Sequence, residues 1–159
     1  MRKVVSNTTP IISLLKIQQL DLLAKLYENI IVPEAVWQEV EVGKDGSFYA
    51  DLTSFAWISI QEIQKREGLD YLTDLDKGEA EVIVLAREID ADLVIIDEIL
   101  GRQYAEHFGL TLTGTIGILL RAKKEGHVHA LRPLLEQLQS NGVWLSNNVI
   151  KEVLILAGE

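Results

Sequence analysis

Leu93-Val94-Ile95-Ile96, entered from Asp92 and left at Asp97, decides the fold. Four consecutive branched apolar residues between acids predict a short strand buried on both faces, as in parallel sheets covered by helices on either side. The flanking sequence agrees. Upstream, Asp76 stands as an N-cap before a helix from Lys77 to about Ile89. Downstream, a helix from about Leu100 to Phe108 closes at Gly109, Leu110-Thr111-Leu112-Thr113 reads as the next strand, and Gly114-Thr115 starts a helix reaching Lys124. The N-terminal part repeats the alternation. Val4-Val5 opens a strand ending at Ser6-Asn7, and Thr9-Pro10 supplies the cap and first turn of a helix. Helical periodicity continues through Leu14, Leu15, Leu20, Leu23 and Leu26. Ile30-Ile31-Val32 is a second strand with Pro33 opening another helix, and Trp57-Ile58-Ser59-Ile60 predicts an edge strand. A helix over 131–139, a last strand at Val143-Trp144-Leu145 and a helix capped by Ser146 and ending near Ala157 complete the chain. Strands alternating with helices in this way predict an α/β fold with a mainly parallel sheet, its functional groups beyond the carboxyl ends of the strands.

The chain has 159 residues, 48% hydrophobic and 25% charged, which predicts one compact domain over residues 1–159 and excludes disorder. There is no cysteine, so disulfides, thiolate metal ligands and cysteine nucleophiles are excluded. No apolar run approaches the roughly 20 residues needed to cross a bilayer, and Met1-Arg2-Lys3-Val4-Val5-Ser6-Asn7 lacks the pattern of a signal peptide. The expectation is a soluble, cytoplasmic protein with no membrane partner. The net charge of −9 is uneven: residues 62–106 carry thirteen acidic against five basic side chains, while residues 107–159 carry four against five. A chain this acidic does not hold nucleic acid by general electrostatics, which depend on Lys and Arg. Either it binds no polyanion, or cations recruited by the carboxylates reverse the local sign.

Three acids stand where a solvated face is not expected. Asp97 follows the buried strand directly, at its carboxyl end; it either caps the next helix or faces the crevice. Glu79 shares a helix face with Ile83, Ala86 and Ile89, so it is the polar end of an apolar stripe, whereas Glu81 aligns with Glu88 and is expected to look outward. Glu39 follows Ala35 and Val36 and leans the same way. A parallel sheet brings these segments to one edge. A carboxylate cluster there suits hard cations such as Mg²⁺ or Mn²⁺; without one, mutual repulsion raises some of the pKa values.

The ordered set of motifs carries a resemblance. Val5-Ser6-Asn7-Thr8-Thr9-Pro10-Ile11-Ile12, Val32-Pro33-Glu34-Ala35-Val36 with Glu39, Asp76-Lys77-Gly78-Glu79-Ala80-Glu81, Leu93-Val94-Ile95-Ile96-Asp97-Glu98 and Leu112-Thr113-Gly114-Thr115-Ile116-Gly117 together resemble a PIN-related branch found in bacteria and archaea. The resemblance implies a three-layer α/β/α PIN-like fold and a Mg²⁺- or Mn²⁺-dependent endoribonuclease acting on RNA. It also implies kinship with the toxin half of toxin–antitoxin pairs, with an antitoxin protein as partner and a homodimer as assembly. Carried over by position, the metal-binding and catalytic set falls on Asn7, Glu39, Glu79 and Asp97, with Thr8 supporting the first. Asn7 is the departure, an amide where the family pattern has an acid. The alternative is therefore a catalytically weakened module that binds RNA or a protein partner. A receiver-like phosphotransfer domain is disfavoured because Ser6-Asn7, not an acidic pair, ends the first strand.

For the substrate, Arg121, Lys123 and Lys124, with Arg132 nearby, form the one local basic cluster, and Arg102 lies about a helical turn beyond Asp97. These four, Arg102, Arg121, Lys123 and Lys124, are the candidate phosphate contacts, set against the ordinary preference of cations for a helix C-terminus. Gly114-Thr115-Ile116-Gly117 is either a phosphate cradle at a helix start or a tight strand-to-helix turn. His127 and His129 lack further ligands and read as polar surface. Trp37, Trp57 and Trp144 are scattered, which predicts core or subunit packing rather than a base-stacking platform.

Overall fold

A computed structural model describes residues 2–159. Five strands, β1 (Val4–Ser6), β2 (Ile30–Pro33), β3 (Ile58–Gln61), β4 (Leu93–Ile95) and β5 (Leu112–Thr113), form one parallel sheet in the order β3-β2-β1-β4-β5. Eight α-helices accompany them among the described residues: α1 (Thr8–Lys16), α2 (Leu22–Tyr27), α3 (Glu34–Val42), α4 (Lys77–Glu88), α5 (Ile99–His107), α6 (Thr115–Lys124), α7 (Arg132–Ser140) and α8 (Asn147–Leu156). Helix α4 packs against α3, α5, β1 and β2, while α6 packs against α1, α2, α8 and β5. The result is the three-layer α/β/α arrangement expected from the alternation. Val4, Val5, Val94, Ile95 and Ile96 are fully buried between the layers, each contributing about 1.5–3 kcal/mol of hydrophobic stabilisation.

The strand order places the functional crevice. Chain order reverses between β1 and β4, the switch point at which open parallel sheets gather ligands. The register there pairs Val4 with Leu93, Val5 with Val94 and Ser6 with Ile95. Asn7 donates its backbone N–H to Ile95 O at 2.9 Å, so Asn7 and the Asp97-Glu98 pair leave neighbouring strands side by side.

Four expectations change. The helix after β1 does not run through Leu26: it ends at Lys16, the chain turns at Gln18 with φ of +55°, and α2 resumes at Leu22. Val143-Trp144-Leu145 is not a strand. Val143 N–H returns to Leu138 O at 2.9 Å after Gly142, which has φ of +89°, so the triplet closes α7 and no strand edge pairs with it. Trp144 packs in no core; it is 84% exposed. Glu81, expected outward, is 2% exposed and accepts Ala35 N–H at 3.1 Å, capping the start of α3. Helical geometry does send Glu81 away from Glu79, but α3 covers that side. No helix among the described residues is long and apolar enough to cross a membrane.

Candidate active site at the switch point of the sheet

Asn7 ends β1 and takes the N-cap position of α1, yet its side chain makes no capping bond. Its Nδ2 instead donates to Glu98 Oε2 at 3.1 Å, and its Oδ1 is buried without a hydrogen-bond partner. Thr9 Oγ1 donates to the other oxygen of Glu98. Glu98 was not among the residues singled out from sequence. It stands in the N-cap position of α5, again without a side-chain cap bond, and turns its carboxylate across to α1.

Glu79 approaches from α4. It is 6% exposed and closes a capping box with Asp76: Glu79 N–H donates to Asp76 Oδ1 at 2.8 Å, and Asp76 N–H to Glu79 Oε2 at 3.3 Å. Burial, together with the Asp76 and Glu98 carboxylates, pushes its pKa up to about 7 although the bond from Asp76 N–H lowers it. Glu79 and Glu98 therefore meet as like charges. Gly101, the third residue of α5, leaves room for them: a Cβ there would lie 3.6 Å from Glu79 Oε1 and 3.0 Å from Ile96 Cγ2.

Asp97 points to the other side of the strand end. Its Oδ1 accepts Thr115 N–H at 2.7 Å and its Oδ2 accepts Thr115 Oγ1 at 2.6 Å, so it caps α6, not the helix that follows it. Burial raises its pKa, opposed by the two Thr115 bonds. The Gly114-Thr115 turn is consequently no free phosphate cradle, because Asp97 already occupies that helix start. Arg102 donates Nη1 to Ile96 O at 2.9 Å, and Gly114 makes the approach feasible: a Cβ on Gly114 would be 2.6 Å from Asp97 Oδ1 and 2.9 Å from Arg102 Nη1.

Glu39, on α3, lies behind this group. Thr8 Oγ1 donates to its Oε2, and Gly78 N–H donates to its Oε1 at 3.0 Å. Thr8 thus supports Glu39 rather than the position before it. Glu39 touches the chain neighbours of Asn7 and Glu79, while the pair that meets side chain to side chain is Glu79 and Glu98. Among the described residues, no three His, Asp or Glu side chains stand in an arrangement that would hold a metal ion, and none of the ion pairs involves Glu39, Glu79, Asp97 or Glu98.

The basic cluster lies further off. Thr115 opens α6 at the crevice, so Arg121 to Lys124 sit about 9–14 Å along the helix at 1.5 Å per residue. Arg121 pairs with Glu125 and lies 5.2 Å from the Tyr27 ring, Lys123 pairs with Glu159 at 2.9 Å, and Lys124 is exposed.

The sheet is doubly wound, and its switch point gathers Asn7, Glu79, Asp97 and Glu98 where such folds place their ligands. The chain matches the PIN domain over residues 3–159 and belongs to that family. PIN domains are of nuclease type, bind nucleic acid and use divalent metal ions. No curated protein matches the chain.

Proposed function

We propose that this PIN-domain protein is a divalent-cation-dependent endoribonuclease whose centre is Asn7, Glu79, Asp97 and Glu98, with Glu39 bracing it. One observation carries the reading: the Asn7 Oδ1 acceptor is buried and unpartnered beside the Glu98 carboxylate, which in turn crowds Glu79. Buried acceptors and like charges require a compensating donor or cation. The donors are all oxygen, which fits Mg²⁺ or Mn²⁺. Asn7, Glu79 and Glu98 would hold the ion, which when bound supplies charge neutralisation at a scissile phosphate and a water of lowered pKa. The chain contributes the rest. Thr9 and Asn7 orient Glu98, Asp76 holds Glu79, Thr115 holds Asp97, and the Arg102 guanidinium, bound through Nη1 to Ile96 O, would meet a phosphate. Without a cation Glu79 is pushed up to about 7, so holding the ion would draw a proton off it near neutrality.

A second reading, a weakened module that binds RNA or a protein without cutting, draws support from Asp97 and Glu39. Each has both oxygens engaged by hydrogen bonds within the chain. A cleavage assay on a pooled RNA library with and without Mn²⁺ separates the two. Mn²⁺-dependent products that vanish in Glu79→Gln support the nuclease; intact RNA under all conditions overturns it. Within the nuclease reading, the role is that of a cytoplasmic, homodimeric toxin held by an antitoxin, and growth arrest on induction is its readout.

A further inference from the structure

Three hollows join along α6 and α8. The first, about 530 Å³, is walled by Trp144, Ser13, Ile116, Asp97 and Glu98. It shares Asp97, Ile99 and Ile116 with a second of about 540 Å³, which passes Arg102 and runs to Leu120 and Leu156. Those two leucines are shared with a third of about 700 Å³, which ends at Arg121, Lys123 and Lys124. The furrow therefore begins at an aromatic ring, passes Asp97, Glu98 and Glu152, and ends at Arg121 and Lys123, paired with Glu125 and Glu159, and at the exposed Lys124.

We propose that this furrow is the track for a single-stranded segment of RNA, with an unpaired base stacked on Trp144 and the backbone leaving toward Lys124. The proposal deepens the nuclease reading and rests on it for the nature of the substrate. Trp144 is unlike the other two tryptophans, which are partly covered; it is 84% exposed. Its exposure comes from a fixed backbone. Val143 N–H is bound to Leu138 O, Gln139 Nε2 donates to Leu145 O at 3.5 Å, and Ser146 caps α8. Val143 and Leu145 pack on the core and leave the ring between them in solvent. A preset, exposed ring at the rim of an apolar hollow suits a flat, uncharged base, and stacking needs a base whose faces are free, hence a single strand. A second copy of the chain is the poorer occupant. A two-fold contact with its axis near these strand ends would bring the Asp97 and Glu98 carboxylates of both copies together as like charges.

The test measures binding of a short labelled single-stranded RNA, and of the same sequence as a duplex, to the full chain by fluorescence anisotropy with Ca²⁺ present. Cleavage with Mg²⁺ or Mn²⁺ and sedimentation are measured in parallel. The single strand binds more tightly than the duplex, Trp144→Ala weakens binding about 5- to 150-fold, and Trp144→Phe restores most of it. Lys124→Ala weakens binding less and flattens its salt dependence. Equal binding by Trp144→Ala and wild type, equal binding of the duplex, or a Trp144→Ala effect confined to the sedimentation state overturns the proposal. If wild type cleaves RNA while Trp144→Ala binds unchanged, the track fails and the nuclease stands. If binding depends on Trp144 but no metal supports cleavage, the nuclease reading fails and the track stands.

Discussion

Glu79 and Glu81 are two residues apart on the same helix, and both are buried, at 6% and 2% exposure. They nevertheless do opposite things. Glu81 faces α3, accepts Ala35 N–H and lies in a hollow walled by Arg66 and Lys77 as well as Glu34 and Glu62. Its charge meets a helix N-terminus and shares its hollow with two cations as well as two carboxylates, an environment in which a buried carboxylate is a structural element. Glu79 packs toward β1 and meets Glu98, whose carboxylate Asn7 Nδ2 holds, and the bond that favours its charge comes from Asp76 N–H. Burial alone does not mark a functional acid; burial among like charges with no cation beside them does.

The largest effect that can break this contrast is on activity. Glu79→Gln and Glu98→Gln should each lower RNA cleavage roughly 100- to 1000-fold, the loss typical of a preorganised electrostatic group. Glu81→Gln, which keeps an acceptor for Ala35 N–H, should leave the rate within about threefold. Initial rates with Mn²⁺ decide it, and comparable losses in all three would erase the distinction. Next is crowding. Gly78→Ala places a Cβ 2.6 Å from Glu39 Oε1, and Gly114→Ala places one 2.6 Å from Asp97 Oδ1. Each should destabilise the fold by about 1–3 kcal/mol, as overpacking does, read by denaturant melts, whereas Gly126→Ala meets no atom within 4 Å and suffers only from its positive φ.

Asn7→Asp replaces the Nδ2 donor to Glu98 with a third like charge at a buried position. It should cost about 1–3 kcal/mol in metal-free melts at neutral pH, an effect that salt screens little because the site is buried. Smaller, and specific to Glu79, is a pH effect. Its folded pKa of about 7 lies above the ordinary 4.5, so the native state binds the extra proton. That contribution to stability is complete below the unfolded pKa and is lost as pH rises through about 7. Glu79→Gln should therefore raise the metal-free Tm at pH 8 and less so at pH 5, by an amount worth about 1 kcal/mol after solvent screening.

Most of the fold was legible because it rests on local rules. The apolar run before Asp97, the Pro33 helix start and the Asp76 cap all appear at the expected places, the last as a full capping box. What was not legible depends on neighbours distant in sequence. Glu81 follows the helical wheel correctly, but no wheel says that α3 covers the far side. Val143-Trp144-Leu145 has a strand's alternation and lacks only an edge to pair with. Within the site, position in the sequence points Glu79 and Asp97 to the crevice, whereas Asn7 follows only from the family resemblance. Glu98 was passed over although two acids in succession at a strand end must face different ways; that alternation was the available signal. The pairing of Asp97 with Thr115, eighteen residues on, required the β4–β5 register.

The central claim is that Asn7, Glu79 and Glu98 form a cation site. Calorimetric titration of the full chain with Mn²⁺ tests it most directly. Saturable binding in wild type, tighter in Asn7→Asp and abolished in Glu98→Gln, is the predicted result. Equal heats from wild type and Glu98→Gln, or none from any variant, would contradict it.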